Sequence, residues 1–127
     1  MKKKIELEYT INSSPKVLYS RLSTPGGLSE WFADDVHQQG KLFTFIWDGH
    51  ENKAELVLKK ENKYIRYKWL DEDENGERSY FEFRINQDEI TGDVALLITD
   101  MVDEEDVDDA SELWNTQITE LKHVLGL

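Results

Sequence analysis

The stretch at residues 109–126 limits what this chain can fold into more than any other. Ala110, Leu113, Trp114, Ile118, Leu121, Val124 and Leu125 recur at steps of three and four, which places them on one stripe of an α-helix. Asp109 followed by Glu112 predicts a capping box at its start, and Gly126 predicts the residue just past its last turn. Nothing else in the chain reads as a long helix. A helix with one apolar face needs a broad apolar surface to lie on, so the remaining residues must build one.

Strands are the predicted surface. Ile5, Leu7, Tyr9 and Ile11 alternate with Lys4, Glu6, Glu8 and Thr10, the period-two pattern of a strand with one buried face. Ser14-Pro15 and Thr24-Pro25 each pair an N-cap residue with a proline in the first helical turn. They predict two short helices, one with Val17, Leu18 and Leu22 as its apolar face, the other running through Leu28, Trp31 and Phe32. From residue 35 the pattern becomes a meander with strands at 35–39, 41–47, 53–60, 63–70, 78–87 and 93–102. Gly40, Asp48-Gly49, Glu61-Asn62, Asn75-Gly76 and Thr91-Gly92 supply the turns. One face reads Phe43, Phe45 and Trp47, then Ala54, Leu56 and Leu58, then Ile65, Tyr67 and Trp69, then Phe81, Phe83 and Ile85, then Val94, Leu96 and Ile98. The other face is mostly polar, as expected of an antiparallel sheet covered on one side.

Strand, two short helices, six strands and a closing helix make an α+β arrangement, and 127 residues suit a single domain spanning 1–127. The net charge of −12, from 27 acidic against 15 basic residues, argues against capture of nucleic acid or an anionic membrane. Lys2-Lys3-Lys4 is followed by alternating residues and not by the unbroken apolar run of a signal peptide, and no segment suits membrane insertion. Cysteine is absent, which removes disulfides and thiolate chemistry and fits a cytoplasmic location.

Ser13-Ser14-Pro15-Lys16-Val17-Leu18-Tyr19, Thr24-Pro25-Gly26-Gly27-Leu28-Ser29-Glu30-Trp31-Phe32, Lys41-Leu42-Phe43-Thr44-Phe45, Tyr67-Lys68-Trp69 and the closing Trp114 with Leu121-Lys122 resemble, in order and spacing, the START-like superfamily. Within it the sequence is most similar to the homologues of the ATPase activator of the ninety-kilodalton heat-shock chaperone. The resemblance implies a helix-grip fold: a curved seven-stranded antiparallel sheet, two short helices near the N-terminus, and a long C-terminal helix over the concave face with a cavity between them.

Trp31, Phe32, Phe43, Phe45, Trp47, Tyr67, Trp69, Phe81, Phe83, Trp114 and Ile118 are the candidate ligand-binding residues. Aromatic side chains contribute about 2–3 kcal/mol each when fully buried, so the same set equally serves as plain core. Periodicity does not separate a lined cavity from a filled one. Asp71-Glu72-Asp73-Glu74-Asn75-Gly76 with Glu82 matches the spacing of a calcium-binding loop, yet strands flank it where helices are needed, and a hairpin turn is the preferred reading. Residues 103–109 form a second acidic run, suited to a helix N-terminus. His37, His50 and His123 lack metal-ligand spacing, no serine lies in a nucleophile motif, and no phosphate loop occurs. Glu30, Asp34, Asp35 and Asp100 are the carboxylates expected near a cavity mouth.

The expected function is binding of a hydrophobic or amphipathic small molecule, lipid- or polyketide-like, without metal or cofactor. A chaperone-activator-like module with a filled core, acting on a protein partner through 71–77 and 103–109, is the alternative. A cyclase-like cavity enzyme ranks third. Both monomer and homodimer fit the sequence.

Overall fold

The computed structural model describes residues 2–127. Its elements follow in the order β1 (Lys2–Thr10), α1 (Pro15–Ser23), α2 (Pro25–Leu28), β2 (Asp35–Gln39), β3 (Leu42–Trp47), β4 (His50–Lys60), β5 (Tyr64–Glu72), β6 (Arg78–Gln87), β7 (Val94–Asp103), a 3₁₀ turn (Glu104–Asp106) and α3 (Val107–Val124). The strands form one sheet in the order β1-β7-β6-β5-β4-β3-β2, antiparallel at every pairing. Trp114, Ile118 and Leu121 of α3 are buried with the inward residues of that sheet. This is the helix-grip arrangement.

Both proline-led starts act as capped helix N-termini. The Ser14 hydroxyl accepts the Val17 N–H at 3.1 Å, and the Thr24 hydroxyl accepts the Gly27 N–H at 3.0 Å. Leu18 and Leu22 are buried as expected, but Val17 is 45% exposed, because the inward stripe of α1 is only as wide as the i, i+4 pair. The second helix also stops earlier than expected, at Leu28. The N–H groups of Phe32 and Ala33 then both return to the Leu28 carbonyl, a turn that leaves the Trp31 and Phe32 side chains buried without further helix. Gly27 makes the junction possible, since a Cβ there would meet the Arg21 Cα at 2.7 Å.

Register fixes the concave face. Leu56, Tyr67, Phe81, Asp100 and Ile5 lie opposite one another across five strands, and Ile65, Phe83, Ile98 and Leu7 make the adjoining row. Leu58 departs from the expected inward set. The register slips between Leu56, opposite Tyr67, and Leu58, opposite Arg66, so Leu58 turns to the convex side and is 42% exposed.

The calcium-like pattern forms a hairpin. Asp73 Oδ1 accepts the N–H groups of Asn75 and Glu77, both at 2.9 Å, which holds the Asp73 carboxyl below its usual range. Glu82 lies on the convex face, only 6% exposed, between Arg66 at 3.0 Å and Arg84 at 3.5 Å. Those guanidinium groups also cover the rings of Tyr80 and Tyr64. Among the described residues, no group of three or more His, Cys, Asp or Glu is placed to hold a metal ion.

At its N-terminus α3 differs from the expected capping box. It starts at Val107 after the 3₁₀ turn, with Asp109 already in the first turn and no side-chain cap. The acidic residues there face the positive end of the helix dipole, which removes the need for a specific cap at that end. The C-terminus is as expected. Gly126 at φ +78° lets its N–H reach the His123 carbonyl while the Leu127 N–H reaches Lys122, closing a Schellman motif.

Candidate functional site

A cavity of about 330 Å³ lies between the concave face and the first half of α3, lined by Phe32, Trp47, Trp69, Phe81, Asp100, Ala110, Leu113, Trp114 and Gln117. Its size is at the lower end of the range for small-molecule sites. No side chain of α3 before Trp114 is buried, and Leu113 is 59% exposed, so this end of the helix roofs the cavity without filling it.

Five aromatic rings line it as one packed wall, and Phe32 also meets Phe81 directly at 5.3 Å. Trp114 stacks on Phe32 with centroids 5.6 Å apart; Phe32 meets Trp47 at 5.3 Å, Trp47 meets Trp69 at 6.3 Å, Trp69 meets Phe81 at 5.1 Å, and Phe81 returns to Trp114 at 6.5 Å. Such offset and tilted contacts favour fixed ring positions. The Phe32 carbonyl knots the assembly together, accepting the Trp47 indole N–H at 2.8 Å and the Gln117 side-chain N–H at 3.0 Å. One hydrogen-bond acceptor therefore joins β3, α3 and the segment after α2. Trp69 sits where the pairing of β5 with β6 is interrupted, and Arg78 donates to its carbonyl at 2.7 Å, satisfying the backbone that the irregularity frees.

The wall contains one titratable group. Asp100 Oδ2 accepts the Trp114 indole N–H at 2.9 Å, and its Oδ1 accepts the Met101 N–H at 2.9 Å. Burial raises the Asp100 pKa above its ordinary value, with these two hydrogen bonds and the charge of Lys2 acting against the rise.

The candidate residues divide between wall and interior. Phe32, Trp47, Trp69, Phe81 and Trp114 border the cavity. Trp31, Phe43, Phe45, Tyr67, Phe83 and Ile118 are buried in the core away from its lining. Trp31 donates its indole N–H to the Arg21 carbonyl at 2.8 Å. The Tyr67 hydroxyl donates to the Leu22 carbonyl at 2.7 Å, and burial holds its pKa well above the usual phenol value.

Of the four carboxylates expected near the mouth, Asp100 lines the cavity. Glu30 pairs with Arg21, Asp34 accepts the Asp48 N–H at 2.8 Å, and Asp35 lies beside His37 at 3.2 Å. The alternation Val94, Leu96, Ile98 already carried the signal for Asp100, since its next step inward is that residue. Gln117 was overlooked as a wall residue. It continues the helical spacing of Ala110, Leu113 and Trp114, but its polarity removed it from an apolar stripe.

A family model described as the START-like superfamily domain matches residues 1–127. The chain belongs to the START-like superfamily. Its fold is shared with the solution NMR structure of BfR322 from Bacteroides fragilis, at 40% identity and a TM-score of 0.68, covering 99% of this chain and 93% of that one. Protein MLL2253 from Mesorhizobium loti is 19% identical with a TM-score of 0.81, over 98% of this chain and 97% of that one. The Aha1 dimer from Colwellia psychrerythraea is 18% identical with a TM-score of 0.79, over 94% of this chain and 93% of that one. Among curated proteins, none matches. As a START-like domain the chain is a sheet that grips a helix, and no helix among its described residues is long and apolar enough to cross a membrane.

Proposed function

We propose that this START-like domain binds a hydrophobic or amphipathic small molecule in the aromatic cavity under the first half of α3. The observation that carries the reading is the cavity under the first half of α3 whose wall is five packed aromatic rings. An apolar ligand entering there gains about 25 cal/mol for each Å² of apolar surface withdrawn from water. Orientation comes from few polar groups. Trp31, Trp47 and Trp114 donate their indole N–H groups within the protein, whereas the Trp69 indole N–H has no partner among the described residues and is the indole donor left for a ligand. Asp100 is the one titratable side chain in the wall, and it lacks the second group that paired acid–base chemistry needs, which supports binding over catalysis.

The test is native mass spectrometry of gently purified protein, followed by thermal unfolding against a panel of lipids and polyketides. A ligand at a hundred times its Kd adds about 2.7 kcal/mol to the stability of the native state. A retained small molecule, or a rise in Tm that Leu113→Trp abolishes by filling the mouth, supports the reading. Unfolding that no panel member shifts, with no retained mass, counts against it.

A further inference from the structure

Resting on the cavity reading, we infer that the preferred ligand is an organic ammonium ion with apolar substituents, seated in the cavity against its aromatic wall with its charge toward Asp100. Three observations converge on this chemistry. The first is the aromatic wall. Cations are attracted to aromatic faces within about 6 Å of the ring centroid, and Phe32, Trp47, Trp69, Phe81 and Trp114 all border the cavity. An apolar lining of leucine and valine would give a neutral ligand the same burial without this field.

The second observation is the balance of donors and acceptors. The Trp47 indole N–H and one of the two Gln117 side-chain N–H groups are engaged by the Phe32 carbonyl, which leaves neutral donors beside one carboxylate acceptor. Asp100 receives two hydrogen bonds, whereas a carboxylate can accept about four. The wall therefore retains acceptor capacity on a carboxyl group, at the position where register sets Asp100 opposite Phe81. Burial raises the Asp100 pKa, and a bound cation would oppose that rise, so ligand binding and ionisation of this group favour each other.

The third is the surrounding charge. A groove that shares Trp47 and Trp69 with the cavity wall carries Asp71, Glu72 and Asp73, with Lys2 as its one basic residue. Lys2 lies 3.7 Å from Asp103. The balance of that approach is negative, as is the protein at −12, which raises the local concentration of cations and lowers that of anions.

Calorimetric titration of the full chain at neutral pH tests the inference with three probes: butyrylcholine, its neutral isostere in which carbon replaces the quaternary nitrogen, and octanoate. The cation is expected to bind about tenfold more tightly than the isostere, and octanoate more weakly than both. Asp100→Asn, which keeps an oxygen acceptor for Trp114 and removes the carboxylate, should reduce the cation's advantage over the isostere to about twofold, read as the ratio of the two affinities in the same variant. Trp69→Leu should lower cation affinity more than isostere affinity. Equal affinities for cation and isostere, or tighter binding of octanoate, would overturn the charge selectivity while leaving the cavity reading in place. Failure of all three probes to bind overturns the charge selectivity and removes its foundation in the cavity as well.

Discussion

From Ile118 to Leu121, α3 lies against the sheet with its inward side chains almost completely covered, whereas from Val107 to Leu113 it buries none and leaves open space beneath. Both halves belong to one continuous helix over one continuous sheet. What differs is the filling. The covered half shares a cluster with Phe43, Tyr67, Phe83 and Leu96, all 0% exposed, while the open half faces the half-buried rings of Trp47 and Trp69. Side chains at the cavity are fixed by hydrogen bonds to the Phe32 carbonyl and to Asp100, with Arg78 bonded to the Trp69 backbone, as well as by contacts among the rings. Polar anchoring of this kind can keep a void open in an otherwise close-packed interior.

The contrast is sharpest in truncations. Phe83→Ala should cost about 3–5 kcal/mol in denaturant unfolding, because the site is enclosed and cannot collapse. Trp114→Ala should cost less, about 2–3 kcal/mol, although the side chain is larger, because one side of the ring already borders open space. Equal losses at the two positions would erase the distinction between the halves. Gly27→Ala tests the junction that carries Phe32 toward the cavity. The added methyl meets backbone of α1, and a loss of about 1–3 kcal/mol is expected, together with weaker ligand binding as Phe32 shifts.

The smallest expected effect is electrostatic and separates Asp100 from the other carboxylates. Its folded-state pKa is raised, so the native protein holds that proton more tightly than the unfolded chain. Between the unfolded value and the raised folded value, its contribution to stability therefore falls as pH rises. Asp73 and Asp88 have lowered values, and their contribution is instead lost as pH falls through the folded pKa. The stability of Asp100→Asn minus that of the wild type should accordingly increase with pH through the Asp100 window and then level off. A difference that stays flat across acidic pH would show that Asp100 is not desolvated as the cavity requires.

Much of this architecture was legible in the residues. The proline-led caps at Ser14 and Thr24, the strands at 35–39 and 78–87, and the Gly126 terminus all rest on local rules of capping and periodicity, and they appear where those rules put them. Local rules were weaker where two patterns compete. Leu58 kept the alternation on paper, but a register slip against β5 turned it outward; Asp109 and Glu112 had capping-box spacing, but the helix began three residues earlier, with Asp106 at the N-cap behind a 3₁₀ turn.

By itself the sequence determined the kinds of element, their order and the faces they bury, because hydrophobic period and cap chemistry act within a few residues. Tertiary structure alone decided that Phe32, Trp47, Trp69, Phe81 and Trp114 border a cavity while Phe43, Phe45, Tyr67 and Phe83 fill the core. Both groups obey the same inward alternation, so nothing local separates them. The difference lies in what each turn of α3 covers, which depends on contacts between residues as far apart in the chain as Phe32 and Gln117.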